Sequence, residues 1–364
     1  MCMTTEQQQT PRVTQKDVAK RAGVAVSSVS YVLNNGPRPV SAETRARVLK
    51  AIDELGYRPN EHARRLIQQN WGSEKAPRQF GILLSGGARV LIARPFYSTL
   101  LVGLFDEAVQ HNYAVRFIHL YDEIQDPILF NELIHPETIA GLVLIHIKPP
   151  LSRDQELLAR IRERVANVIC LDSSCLGLPS ITFDKLDAGQ RATTYLIEMG
   201  HRRIGFIGNH DGRFDGYLQS LRVHNLPFDP QLVTSEQLAI QDEITNSPQG
   251  GWLGAKGLLN LSTPPTAILA ASDEVAIGAL RAAREHHMSV PEDLSIVGVD
   301  DIDLASYSSP PLTTVRVPKN DMAKLTVQTL IDRVNNPNGM SVNMVLPVEL
   351  IVRGSSGPTP SISS

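Results

Sequence analysis

The chain has 364 residues, with 35 Lys and Arg against 38 Asp and Glu, a formal charge of −3. Its 42% apolar and 20% charged residues exclude a wholly disordered chain, and no apolar run approaches the ~18 residues that span a bilayer. The three cysteines, Cys2, Cys170 and Cys175, show no zinc-site spacing and fit a reducing cytoplasm better than a disulfide scaffold.

The opening stretch MCMTTEQQQTPRVTQ has neither the basic nor the apolar segment of a secretory signal, so a cytoplasmic protein is expected. At about 150 residues per domain, the length predicts two to three structural units. The near-neutral total conceals an asymmetry. Residues 1–70 hold eleven Lys and Arg against six Asp and Glu, a balance of +5, and the remainder hold 24 against 32, a balance of −8. A basic head on an acidic body is the charge layout of a polyanion-binding module on a larger domain, although a solvated helical face gives the same local balance.

Residues 1–12 are polar and Gln-rich and read as a disordered tail. The first helix starts at Thr14, an N-cap with Asp17 three residues on, carries Val18, Ala19 and Ala22 on one face, and stops at Gly23. A second helix runs from about Val26 to Leu33, with Val29, Val32 and Leu33 inward and Ser27, Ser28 and Tyr31 outward. Ser41 caps a third, in which Val48, Leu49, Ile52 and Leu55 recur at helical spacing before Gly56. Three short helices, the first two joined by a tight glycine turn, read as a helix-turn-helix.

Pro59 breaks the pattern, Asn60 can cap one more short helix to Ile67, and residues 68–79 are linker-like. From Phe80 short apolar runs alternate with amphipathic helices: FGILLSG, AVRFIHL, IAGLVLIHI, NVICLD, RIGFIGN, TAILAAS and SIVGVDD are the strands. That alternation predicts parallel sheets covered on both faces, with enough strands for two doubly wound domains.

A helix-turn-helix places its second helix in the major groove, which makes Val26, Ser27 and Tyr31 candidate base-facing residues. Val26 suits a thymine methyl, and Ser27 and Tyr31 offer hydroxyls. Thr14, Ser30, Asn34 and Ser41 lie at helix starts or flanks, where phosphates are held; simple capping explains them equally well.

The segments VTQKDVAKRAGVAVSSVSYVLNN and VSAETRARVLKAIDELGYRPNEHARRL resemble the headpiece of the lactose-repressor (LacI/GalR) family of bacterial transcription regulators. The match runs ungapped through most of residues 13–66. The resemblance implies a sequence-specific repressor whose recognition positions are Val26, Ser27 and Tyr31. It adds Tyr57 to the DNA-contacting set. It also implies a hinge helix that folds on DNA, with Asn60 and Ala63 against the duplex and Leu66 wedged into a minor-groove step. Family members very often carry Arg where Tyr31 stands and Thr where Ser28 stands, so their half-site is not transferable.

The likeness continues more loosely through GHRRIGFIGN, ASDEVAIGALRAARE, SIVGVDDIDLASYSSPPLTTVRVP and LPVELIVRGSS. The implied fold is an all-α helix-turn-helix headpiece plus an α/β periplasmic-binding-protein-like core of two doubly wound subdomains. The implied layout is a headpiece over 13–59, hinge and linker over 60–79, and a core over 80–356. In that core an N-subdomain takes 80–181 and 317–345, and a C-subdomain takes 182–316 and 346–356. The remaining 357–364 reads as a disordered tail with no heptads for a tetramer.

Ligands of open α/β sheets bind at strand C-termini. Asp172, Asp273 and Asp300 end or follow such strands, Phe96 and Tyr97 follow the first, and Arg213 follows RIGFIGN. The resemblance adds an effector-contacting role for Arg213 and a stacking role for Trp252. Carboxylates, an Arg and aromatic faces favour a polyhydroxylated effector, a mono- or oligosaccharide.

The expected partners are this effector, palindromic operator DNA and a second copy of the chain in a homodimer, with no membrane, metal or cofactor. His201 reads as structural and His286-His287 as a surface pair. A transport solute-binding protein would need a signal peptide and no basic head. An enzyme on the same sheets would need a phosphate-cradling loop or a nucleophile–base pair, and neither pattern is present.

Overall fold

The computed structural model describes residues 13–34, 40–57, 78–84, 92–147, 152–174, 177–234, 246–337 and 339–360. The tail 1–12, the hinge with Asn60, Ala63 and Leu66, and the cysteines Cys2 and Cys175 lie outside the described residues. The chain divides into two compact units. One draws on residues 1–86, 108–168 and 330–339, the other on 87–107, 169–329 and 340–364.

The first unit opens with the three expected helices, α1 (Gln15–Ala22), α2 (Val26–Asn34) and α3 (Ala42–Leu55). Thr14 and Asp17 form a complete capping box at α1. Gly23 and Gly56 end α1 and α3 with φ of 65° and 60°, the left-handed conformation glycine adopts at least cost. Val18, Val29, Val48 and Ile52 are fully buried in one small core.

The same unit contains β1 (Gln79–Leu84), β2 (Ala114–Leu120) and β3 (Gly141–Ile145), with β1 paired in parallel to both neighbours. The helix α4 (Pro95–Gln110), which belongs to the second unit up to Glu107, precedes β2 in the chain; α5 (Pro127–Leu133) follows β2, and α6 (Ser152–Arg164) follows β3.

In the second unit β4 (Val168–Leu171), β5 (Ser180–Phe183) and β10 (Asn343–Leu346) lie in the order β10-β5-β4, all parallel. A five-stranded sheet runs in the order β11-β9-β8-β7-β6. Its strands are β6 (Ile204–Ile207), β7 (Ala267–Ala270), β8 (Ser295–Asp300), β9 (Thr313–Arg316) and β11 (Glu349–Ile351). Only β11, paired with β9, is antiparallel among the named pairs. Among the described residues six helices accompany these strands: α7 (Lys185–Glu198), α8 (Gly212–Val223), α9 (Pro248–Leu259), α10 (Asp273–Glu285), α11 (Asp303–Tyr307) and α12 (Lys319–Asn335). The near-continuous apolar runs of β6, β7 and β8 are buried throughout, as strands covered on both faces must be.

The tail expected from Gly357 onward is corrected. Residues 357–360 are held in place: the Gly357 amide donates to Ser295 Oγ at 3.0 Å and the Thr359 amide donates to the Met199 carbonyl at 2.9 Å. The composition is tail-like, but the hydroxyls and backbone of this stretch and of the residues just before it satisfy buried polar groups of the five-stranded sheet. Ser355 Oγ, for example, donates to the Ile296 carbonyl at 2.6 Å.

Candidate functional site

Two places in the molecule gather the predicted residues. The first is the outward face of α2. Val26 is 41% exposed and Ser27 is exposed, whereas Ser30 and Tyr31 are half-buried. Thr14 and Ser41 serve as N-caps: the Asp17 amide donates to Thr14 Oγ1 at 3.4 Å and the Thr44 amide donates to Ser41 Oγ at 3.2 Å. The hydrogen bonds from Thr14 hold the Asp17 carboxyl below its usual range. Tyr57 is buried in the head's core, so its ring packs the domain from inside. The Asn34 side chain lies outside the described residues.

The second place lies at the strand ends of the second unit. Asp172 follows β4 in a left-handed conformation, φ 58°, and is buried. It accepts from Tyr97 Oη at 3.0 Å and pairs with Lys185 Nζ at 3.3 Å. Burial, and then the Asp172 charge, pushes the Tyr97 phenol well up, so it is a neutral donor. Phe96 meets Tyr97 edge-on at 5.0 Å and Phe183 at 6.3 Å, giving an apolar wall beside the polar groups.

Arg213 opens α8. Its guanidinium forks onto Asp211, Nε to Oδ1 at 3.0 Å and Nη2 to Oδ2 at 2.7 Å, and Nη1 donates to the Ala271 carbonyl. Burial by itself lowers Arg213, but Asp211, Asp300 and Asp172 outweigh it and hold the group firmly charged. Close helix contact makes this arrangement possible. A Cβ at Gly189 of α7 would stand 2.0 Å from the Arg213 carbonyl, and one at Gly216 of α8 would stand 2.2 Å from the Leu186 carbonyl.

Asp300 ends β8 with φ 123°, a conformation that is costly for any residue but glycine. Its residue is 6% exposed. Burial first, then the neighbouring Asp273, pushes its carboxyl well up, while Arg213 and Lys319 pull it down. Among the described residues no donor reaches its carboxyl within hydrogen-bond distance, although Lys319 Nζ donates to its main-chain carbonyl.

Asp273 behaves differently. It is fully buried, Thr314 Oγ1 donates to Oδ1 at 2.5 Å, and the Ile302 amide donates to Oδ2 at 2.9 Å. Both oxygens are spent on the fold, and burial pushes the group up to about 7. The expectation that it contacts effector is therefore corrected to a structural role. Asp301 is structural too, bridging Arg316 at 2.7 Å and Arg353 at 2.6 Å, and stays below its ordinary range.

Trp252 is also corrected. Its indole N–H donates to Glu285 at 2.7 Å, and Lys256 and Arg281 lie over its ring at 5.2 and 5.1 Å. Glu285 ends α10 and Asp273 begins it, which puts the two about 18 Å apart at the helical rise per residue. The indole thus sits at the far end of α10, holding α9 to it.

Sequence reasoning missed Lys185, Asp211 and Lys319. The D-G-R spacing at 211–213 is the available signal for Asp211, because a carboxylate two residues before an Arg can cap a helix and hold the guanidinium together. No local signal marks Lys185 or Lys319. Among the described residues no group of three His, Cys, Asp or Glu is placed to hold a metal ion.

Comparison with known proteins matches residues 14–60 to "Bacterial regulatory proteins, lacI family" and residues 193–356 to "Periplasmic binding protein-like domain". The transcriptional repressor CytR of Escherichia coli K12 is 32% identical over 354 residues, covering 95% of this chain and 97% of that one. The chain belongs to the LacI family of bacterial regulatory proteins. Two solved structures of the family are also similar. The regulator CelR in complex with cellobiose gives a TM-score of 0.67 at 26% identity, covering 94% of this chain and all of the other. The lac repressor dimer bound to operator and the anti-inducer ONPF gives 0.65 at 26% identity, covering 95% and 100%. This LacI-family chain is a DNA-binding transcriptional repressor and not an enzyme, and no described helix is long and apolar enough to cross a membrane.

Proposed function

We propose that the chain is a cytoplasmic homodimeric repressor that reads a palindromic operator through Val26, Ser27 and Tyr31 of α2. Its operator affinity is set by a polyhydroxylated effector, a mono- or oligosaccharide, held by Tyr97, Asp172, Arg213 and Asp300. The Asp300 carboxyl carries the effector reading. Its residue is buried and its carboxyl receives no hydrogen bond from any described residue, so a ligand can supply the hydrogen-bond partner. A sugar hydroxyl supplies a donor to Asp300, accepts from Arg213, and lays its C–H face on Phe96. The cellobiose in the CelR complex is a ligand of this chemistry.

The dimer reading rests on α4, where Val102, Phe105 and Val109 are 59%, 41% and 71% exposed and lie on one helical stripe. A dimer is also what reading two half-sites with a pair of helix-turn-helix heads requires. Two N-terminal units at about one turn of DNA each carry phosphate-neutralising charge, so affinity falls steeply with salt.

The test is a thermal-shift screen of mono- and disaccharides on the full chain, with each hit titrated into the complex with promoter-region palindromic DNA. The expected result is stabilisation by at least one sugar and a changed operator affinity with the same sugar. No shift with any sugar overturns the effector reading, and failure to retard any such DNA overturns the operator reading.

A further inference from the structure

Asp300 does not stand alone in its backbone conformation. Asp300 and Asp301 both have positive φ, 123° and 52°. Two successive non-glycine residues of this kind persist only where their surroundings over-determine them. Asp301 is tied by its own carboxylate, which bridges Arg316 and Arg353 at 2.7 and 2.6 Å. The main chain of the corner is held from α12. Lys319 Nζ donates to the Asp300 carbonyl, to the Asp301 carbonyl at 3.1 Å and to the Val317 carbonyl at 3.5 Å, and the Val317 amide adds a donor to the Asp300 carbonyl at 3.4 Å. These three carbonyls match the three N–H groups of an ammonium.

Lys319 stands where a cation is disfavoured twice. It is buried, and it is the first residue of α12, the end at which the helix dipole is already positive. Burial lowers its ammonium, while Asp300, Asp273, Asp301 and Asp303 hold it up. A lysine kept at such a position is explained by what it grips. We infer that Lys319 is a positioning residue of the effector site: its ammonium clamps the Asp300–Asp301 corner and so presents the Asp300 carboxyl to the effector. The inference rests on the reading of Asp300 as an effector ligand. The clamp acts through main-chain carbonyls, so it fixes the corner while leaving the Asp300 carboxyl available to a ligand. It also sets a positive charge at a constant place beside that carboxyl, which faces Asp273 of α10, Arg213 of α8, Asp172 after β4 and Tyr97 of α4 as well.

The test runs on the full chain. In Lys319→Met the crystal structure is expected to show Asp300 relaxed away from φ 123°. With carboxyl-labelled aspartate, and Asp300→Asn marking the signal, NMR is expected to show the Asp300 titration moved upward in Lys319→Met, because one of its two cations is gone. Lys319→Arg keeps the charge and is expected to return the titration toward the parent's. Should Lys319→Met fail to fold, Lys319→Gln takes its place in both measurements. These readings need no effector, so a wrong effector assignment leaves them standing. Cellobiose and D-ribose then serve as probes. Lys319→Met is expected to weaken whichever binds the parent by about tenfold, and to cost nothing further in an Asp300→Asn background. An unchanged φ at Asp300, an unmoved titration, or losses that add in the double variant overturn the positioning role. Probe binding that survives Asp300→Asn overturns the effector reading instead. If neither probe binds, the crystal structure and the titration decide.

Discussion

In the head, the bonds that fix each helix end span three residues: Thr14 with Asp17, Ser41 with Thr44. In the second unit the bonds that set the polar cluster join Tyr97 to Asp172 across 75 residues, Asp273 to Thr314 across 41 and Arg353 to Asp301 across 52. The head is thus specified by short local rules, and its parts can be inferred one helix at a time. The cluster exists only after the sheet has brought distant strand ends together. Three aspartates at equivalent strand-end positions then receive three different fates: Asp273 is fully bonded to the fold, Asp172 is paired with Tyr97 and Lys185, and Asp300 keeps its carboxyl free of hydrogen-bond donors from the described residues.

The difference between Asp273 and Asp300 is the sharpest point at which to break that comparison. Asp273→Ala strips two buried donors, Thr314 Oγ1 and the Ile302 amide, of their acceptor. Each orphaned buried group costs on the order of 1–3 kcal/mol, so a loss of about 3 kcal/mol is expected after allowing for relief of the buried carboxyl. Asp273→Asn keeps an acceptor for the Ile302 amide and is expected to cost less than half as much. Urea unfolding of the full chain measures both, and an alanine variant as stable as the parent shows that the hydrogen bonds do not matter.

Asp300→Asn is expected to give the opposite pattern: fold stability kept or raised, effector response lost by about a hundredfold, the size of a hydrogen bond to a charged group. Asparagine also tolerates positive φ better than most residues. The sign with pH follows from the raised carboxyl. A group whose native value lies above its unfolded 3.8 binds more protons folded than unfolded, so its contribution to stability is present below 3.8 and is lost as pH rises from there. The variant is expected to lose that share of the decline as pH rises above 3.8. Melting temperatures across this range, with and without a sugar hit, separate the two effects, and an unchanged effector response shows that Asp300 is no ligand.

How far the sequence reaches is visible in the same residues. The capping box, Gly23, Ser41, Gly56 and the inward positions Val29, Val32, Val48 and Ile52 were all legible, because each obeys a rule acting within one helix. The parallel pairing of the sheets was legible as a class from apolar runs alternating with helices. The site was legible only as a set of candidates: Tyr97, Asp172, Arg213 and Asp300 meet, but Trp252 and Asp273 were assigned by strand-end and family logic that does not see a partner such as Glu285 or Thr314. Lys185 and Lys319 were missed for the same reason, since a lysine reads as solvated until the fold draws it in.

Gly56→Ala tests the local side of the comparison with a smaller effect. A Cβ there meets nothing within 4 Å, so the whole cost is that of placing a non-glycine residue at φ 60°. About 1 kcal/mol of head stability is expected to go, with the second unit unaffected. Hydrogen exchange of the α3 amides against those of β7 reads the two separately, and equal loss in both shows that the head is not an independently specified region.

The smallest effect belongs to His201, a buried histidine beside the five-stranded sheet. Nδ1 lies 2.9 Å from Thr266 Oγ1, and Nε2 lies 3.0 Å from Ser295 Oγ and 3.1 Å from the Gly357 carbonyl. A carbonyl can only accept, so Nε2 carries the proton and Nδ1 accepts from the Thr266 hydroxyl. Burial, helped by the Arg202 charge and opposed by the Gly357 carbonyl, holds the imidazole below 6.5. The unfolded chain therefore takes up a proton here before the native one does, and stability is expected to fall as pH drops through 6.5 toward the lowered native value. The bond network reaches across the chain to Gly357, so the loss is expected first in the hydrogen-exchange protection of 355–359 and only then in global unfolding. His201→Gln retains a donor toward Gly357 without the titration. It is expected to flatten the acid limb below pH 6.5 while lowering stability slightly above it, and an acid limb identical to the parent's assigns the pH dependence elsewhere.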